Sequence, residues 1–169
     1  FLCPFETIGI AMATYVGQNY GAGKPERVGQ GIKSSTIMMS TYALFTFAVL
    51  MFFSRELLYL FVAPSETEII KDATFFLHVA AVFFPLVGLL CILRYSIQGA
   101  GFTNLAMFSG VAEMIARILV SIIAVPIWGY TAVCFGDSTA WLFADIFLIP
   151  AFYYVYKKIK QMRQSVNMG

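Results

Sequence analysis

The chain is a succession of long apolar stretches broken by short polar connections. The apolar stretches fall at Phe1–Tyr20, about Ser34–Phe53, about Ala73–Ser96, about Leu105–Ile127 and about Thr131–Tyr156. Each approaches the roughly 20 mostly apolar residues that cross a hydrocarbon core. None shows the alternation of a barrel strand, and backbone in lipid must satisfy its own hydrogen bonds, so the pattern predicts about five transmembrane helices. The connections carry turn chemistry. In Gly21-Ala22-Gly23-Lys24-Pro25-Glu26-Arg27, Pro25 suits the first turn of a short interfacial helix and Glu26 suits its dipole. After Pro64, Ser65-Glu66-Thr67-Glu68 reads as a capping box opening the third helix. The third connection is Gln98–Asn104 and the fourth is Trp128-Gly129-Tyr130. Pro85 and Gly88 interrupt the third stretch, and Pro126 and Pro150 lie near the ends of the fourth and fifth, where proline permits a kink.

Composition selects the solvent. Of 169 residues, 60% are apolar or aromatic and 12% are charged, about half the charged share of a soluble domain. Seventeen Phe and nine Tyr are more than a core of this size can hide, so a bilayer surrounds an all-α, polytopic helix bundle. Residues 1–169 read as a single transmembrane domain. It opens inside an apolar run without Met, and the expectation is a fragment whose N-terminal part is missing. A net charge of +2 argues against a nucleic-acid partner. Cys3, Cys91 and Cys134 are scattered, with no metal-ligand spacing. HExxH, GxSxG, Walker and GxGxxG patterns are all missing, and Gly21-Ala22-Gly23-Lys24 lacks P-loop spacing. Neither an enzyme nor a cofactor is expected.

Charge gives orientation. Lys24, Arg27, Lys33, Lys157, Lys158, Lys160 and Arg163 fall on one side, and only Arg55 and Lys71 on the other. Basic residues mark the cytoplasmic side, so the first helix runs inward and the C-terminus lies inside. The outer loop is acidic, with Glu56, Glu66, Glu68 and Asp72. Tyr153, Tyr154 and Tyr156 form an inner aromatic belt, and Trp128 and Tyr130 part of an outer one.

Polar residues deep in the spans are the candidate chemistry. Glu113 and Arg117 lie four apart on one face, mid-span. They form either a structural ion pair or a polar wall of a transport pathway, because charges at such depth seldom face lipid. Asp145 has no neutralising neighbour on its own helix; it is a proton or cation site, or it pairs with Arg117 at similar depth. Glu6 lies in the outer part of the first helix, half solvated. Arg94, near an inner helix end, is placed to snorkel, and His78 reads as a hydrogen-bonded helix residue. Gly9, Ala13, Gly17 and Gly21 make a small-residue ridge for close helix approach. Gly-Ala-Gly recurs at 21–23 and 99–101, preceded by Gln18 and Gln98. Either an ancient duplication or the general preference of tight turns for glycine accounts for it.

The stretch from Ala11 to Arg27, AMATYVGQNYGAGKPER, resembles a signature of the multidrug and toxic compound extrusion (MATE) family, at the end of its eighth helix and the turn that follows. Gln98-Gly99-Ala100-Gly101 is similar to the family's turn after helix ten, Glu113-Met114-Ile115-Ala116-Arg117 to its helix eleven, and Trp141-Leu142-Phe143-Ala144-Asp145 with the basic tail to its last helix. The resemblance implies most of the second six-helix lobe, helices eight to twelve, of a twelve-helix transporter. A related, weaker motif follows helix two, which leaves a first-lobe assignment as the alternative. The implied activity is exchange of Na⁺ or H⁺ for small organic compounds across the cytoplasmic membrane, by alternating access. The implied partners are those substrates, the lipid bilayer and the missing N-terminal lobe. The cation-site acids of some members, on helices seven and ten, have no counterpart here: the first is absent and the third stretch has no acid past Asp72. The rivals are a lipid-linked precursor flippase, which needs several deep basic residues, and a non-transporting membrane scaffold.

Overall fold

A computed structural model describes residues 1–166, with side-chain surroundings through residue 161; the Arg163 side chain of the basic cluster lies outside the described residues. All regular structure within them is helical: α1 Cys3–Gly21, α2 Pro25–Leu58, α3 Thr67–Gly99, α4 Thr103–Leu119, a π-helical segment Val120–Ala124, α5 Val125–Trp128, α6 Tyr130–Cys134 and α7 Gly136–Val166. Four helical stretches are long and apolar enough to cross a membrane: Pro25–Leu58, Thr67–Gly99, Thr103–Trp128 and Gly136–Gln161. The first expected span, α1, is 19 residues long but is diluted by Glu6, Thr7, Thr14, Gln18 and Asn19.

Several local expectations change. Pro25 opens α2 itself, which continues unbroken to Leu58, so no separate interfacial helix forms. The capping box does not close: α3 starts at Thr67 without a side-chain cap. The fourth stretch is not one regular helix. Pro126 lacks an N–H, and the preceding turn widens into the π-helical Val120–Ala124 before α5 resumes. The fifth stretch splits: Gly129 turns with φ 56°, α6 follows, and the long helix begins only at Gly136. Helices α3 and α7 pass through Pro85 and Pro150 as continuous elements.

Helix α3 is the axis of the bundle, packed against α1, α2, α4 and α7. Aromatic rings tie four helices together: Phe5 lies 5.0 Å from Tyr42 and 5.6 Å from Phe84, and Phe84 lies 6.4 Å from Trp141. In lipid the close approach of small faces replaces the hydrophobic drive. Helix α1 runs parallel to α3 in such contact: a Cβ on Gly17 would stand 3.1 Å from the Gly99 carbonyl oxygen, one on Gly9 2.5 Å from the Tyr95 ring, and one on Gly99 inside the Ala13 carbonyl. The ridge stops short of Gly21, where an added Cβ meets nothing within 4 Å. The outward surface is apolar, with Phe52 77% and Phe61 86% exposed, as a lipid-facing surface requires.

The two Gly-Ala-Gly turns have one geometry. Gly23 (φ 65°) and Gly101 (φ 87°) take the left-handed position. Lys24 N–H donates to the Asn19 carbonyl at 2.9 Å and Gly23 N–H to that of Tyr20 at 3.0 Å; Phe102 N–H donates to Ile97 at 3.1 Å and Gly101 N–H to Gln98 at 2.9 Å. This is the paired-bond Schellman closure, satisfying carbonyls that the helix end would strand. The two glutamines are not equivalent, since Gln18 and Gln98 stand at different positions relative to the closure. Both are exposed, and the buried polar residue of the first motif is Asn19, whose amide donates to the Tyr15 carbonyl at 2.8 Å.

The basic groups gather at one end of the bundle. The Lys158 ammonium sits 5.1 Å over the Phe102 ring, and a Cβ on Gly29 would press the Tyr156 hydroxyl at 2.7 Å, joining the end of α7 to the second turn and to the first turns of α2. At the other end, Ser54 and His78 share a hydrogen bond of 3.1 Å, and Tyr130 donates to the Asp72 carbonyl at 3.1 Å.

Candidate functional site

The turn at Gly101 folds α4 back along α3, and this hairpin sets the first contact of the site. Arg94 and Ser109 are nearly equidistant from the turn, so they meet: Arg94 Nε donates to Ser109 Oγ at 2.8 Å, and the Ser109 hydroxyl in turn donates a hydrogen bond to the Ala106 carbonyl at 2.7 Å. One helical turn further along α4, Arg94 forms an ion pair with Glu113 Oε1. The other oxygen of Glu113 faces Arg117 at 3.6 Å, and Arg117 Nε reaches Asp137 Oδ1, in the first turn of α7, at 3.1 Å. Four charges on three helices thus form one chain. Its centre is dry and its end is open: the Glu113 side chain is 11% exposed, Arg117 47% and Asp137 50%.

These groups line a cavity of about 240 Å³ between α1, α3, α4 and α7. Glu6 joins its wall from α1, with Cys91 and Tyr95 from α3 and Trp141 from α7. Glu6 is exposed and has no ion-pair partner within 4.0 Å among the described residues. Half-exposed charges at this depth are incompatible with lipid, so the cavity mouth faces water or other protein. Three acids and two arginines leave it with an excess of negative charge.

Asp145 stands apart from the cavity wall. It is 3% exposed, and neither carboxylate oxygen has a hydrogen-bond partner. Arg117, the expected partner, is committed to Glu113 and Asp137 instead. Nor does Arg94 come within ion-pair distance of it, being paired with Glu113. Arg94 does not snorkel either: it turns inward, 25% exposed, onto Ser109 and Glu113.

Of the residues singled out in the sequence, Glu6, Glu113 and Arg117 share one cavity. Asp145 is not part of its lining. Gly17 and Gly99 lie together at the α1–α3 contact, and Gly21, Gly23, Gln18, Gln98 and Gly101 belong to the turns. Arg94, expected to snorkel, belongs to the wall instead, and Ser109 and Asp137 join its network without having been singled out in the sequence. The hairpin symmetry about Gly101 was a usable signal for the first two. Asp137 had a weaker one, an acid just after a glycine that starts a helix. Among the described residues no group of three or more potential metal ligands gathers.

Comparison with known proteins adds one finding. The sequence model of the MatE family matches residues 1–123, which includes α1 to α4 and the Arg94–Glu113–Arg117 part of the cavity wall. No curated protein and no solved structure matches significantly.

Proposed function

We propose, from the premise that this chain belongs to the MatE family of membrane transporters, that it is most of the second lobe of a cation-coupled antiporter. The antiporter exports small organic compounds, cationic ones above all, in exchange for Na⁺ or H⁺. The observation that carries this reading is the charge balance of the cavity, where Glu6, Glu113 and Asp137 outnumber Arg94 and Arg117. A carboxylate surplus lining a cleft whose mouth is open attracts cations. Alternating access moves such a cavity from one side of the membrane to the other as two lobes rock about it. Coupling arises when cation and substrate compete for the same acids. The basic end, with Lys24 and Lys160, then faces the cytoplasm by the positive-inside rule, and the C-terminus of α7 lies there too.

A flippase for lipid-linked phosphates needs free cations in the cavity. Both arginines are already tied to carboxylates, which disfavours it. A scaffold has no use for a cavity lined with charge.

The test uses the full-length protein in lipid vesicles loaded with a fluorescent organic cation. An opposing Na⁺ or H⁺ gradient should speed dye movement at least several-fold over protein-free vesicles. Folded protein that moves no dye under either gradient, yet scrambles a labelled lipid-linked phosphate, would favour the flippase.

A further inference from the structure

The end of the bundle that holds both Gly-Ala-Gly turns carries Lys24, Arg27, Lys33, Lys157, Lys158 and Lys160, all exposed. None of these cations forms an ion pair among the described residues, and one acid, Glu26, accompanies them. Two of them are held by aromatic rings instead. The Lys158 ammonium lies 5.1 Å over Phe102, and the Lys160 ammonium lies 4.7 Å over Tyr156. A cation on a ring face keeps its charge and its hydrogen-bond donors for a further partner.

At the seam between the start of α2 and the end of α7 this charge meets a fixed donor. Tyr156 stacks on Phe152, with ring centroids 5.9 Å apart, which sets the direction of its hydroxyl. That hydroxyl lies against α2 at Gly29, where a Cβ would stand 2.7 Å away. The hydroxyls of Tyr15, Tyr42 and Tyr130 each donate to a backbone carbonyl. That of Tyr156 has no hydrogen-bond partner among the described residues. Lys33 is four residues past Gly29 and so lies on the same face of α2. Arg27, two residues before Gly29, lies on the opposite face. Glu26 sits one turn nearer the end of the bundle. An unpartnered O–H and two ammonium groups, Lys33 and Lys160, therefore border one seam.

We propose that this seam binds the phosphate of an anionic membrane phospholipid. Position in the bilayer identifies the occupant. Helices α2 and α7 are both long and apolar enough to span a membrane, so these ends lie at the level of the headgroups, where the exposed Tyr153 and Tyr154 mark the interface. The unesterified phosphate oxygens accept from the Tyr156 O–H and from the Lys33 and Lys160 ammonium groups. The surface of α2 then continues as a lipid does: one turn past Lys33 comes Ile37, and two turns further Leu44, both exposed and apolar on the same face, a track for an acyl chain. A headgroup with its own ammonium brings a positive charge to a basic surface, so the site prefers a lipid of net negative charge. The proposal needs a chain that lies in a membrane; it does not rest on the antiporter reading.

The test follows the melting temperature of the full-length protein in uncharged detergent as phosphatidylglycerol is added, since a ligand that binds the folded state raises it. Phosphatidylglycerol raises the melting temperature; phosphatidylcholine and inorganic phosphate at the same concentration leave it nearly unchanged. Lys33→Gln with Lys160→Gln raises the half-saturating lipid concentration roughly 30-fold, about fivefold for each ammonium lost. Tyr156→Phe keeps the ring and its stack but loses the donor, and raises it roughly tenfold. Lys24→Gln with Arg27→Gln removes the same charge from the same end away from the seam. It shifts binding only about twofold at about 0.15 M salt, where charges beyond a Debye length are screened. Should K33Q/K160Q fail to fold, Tyr156→Phe decides alone. Equal shifts in the two double variants mean a diffuse basic field and overturn the proposal. A Tyr156→Phe protein that binds like the original, equal stabilisation by phosphatidylcholine, or stabilisation by inorganic phosphate alone overturns it too.

Discussion

Arg94 and Arg117 have the same side chain on neighbouring helices, and their surroundings give them different weight. Arg94 meets Glu113 where water is largely excluded, whereas Arg117 meets Asp137 with about half of each side chain exposed. Removing one partner of a buried pair leaves an uncompensated charge, at roughly 3–5 kcal/mol; an exposed pair contributes about 0–1 kcal/mol. Glu113→Ala is therefore expected to destabilise the protein severely and Asp137→Asn to leave it within about 1 kcal/mol of the original. Thermal unfolding in detergent measures both, and equal losses would show that burial does not rank these pairs. The sequence displayed Glu113 and Arg117 because they are four apart on one helix. It hid Arg94, since a basic residue near a helix end has an ordinary alternative in snorkelling, and only the hairpin register brings it to Glu113.

At the scale of elements, the glycines separate into those that admit a neighbour and those that turn the chain. Gly99 lies against the backbone of Ala13, and backbone cannot rotate out of the way, so Gly99→Ala is expected to push α1 off α3 and lower both folded yield and melting temperature. Gly17→Leu acts at the same contact. Gly21→Ala has open space and should be close to neutral. Gly101→Ala meets no clash but must hold φ near 87°, a strain of about 1–2 kcal/mol for a residue with a Cβ. The four variants, ranked by melting temperature, check this; a Gly21→Ala protein as unstable as Gly99→Ala contradicts the assignment of the contact. The small-residue spacing made the ridge visible in the sequence. Its end between Gly17 and Gly21 was not visible, because it depends on where α3 stops. Pro126 was visible as well, but not the π-helical turn that accommodates it, which depends on how the chain relieves one missing donor.

For the whole molecule, the basic residues and the two matching turns share one end, and the acidic connection Ser54–Asp72 belongs to the other. Cysteines introduced at Lys24 and Lys160 in intact cells should resist an impermeant thiol reagent, while one at Glu66 should react; the inverse pattern reverses the orientation. Apolar runs, low charge and turn glycines determined, from the sequence by itself, that this is a helical membrane bundle, roughly where its helices lie and which charges group together. Those properties follow from local composition, because a bilayer imposes the same demand on every segment: apolar length and internally satisfied backbone. Tertiary structure decided that α3 is the axis, that Arg117 pairs with Asp137 rather than Asp145, and that Arg94 faces inward. A buried charge is governed by whatever another helix places opposite it, and in lipid that is set by packing and hairpin register.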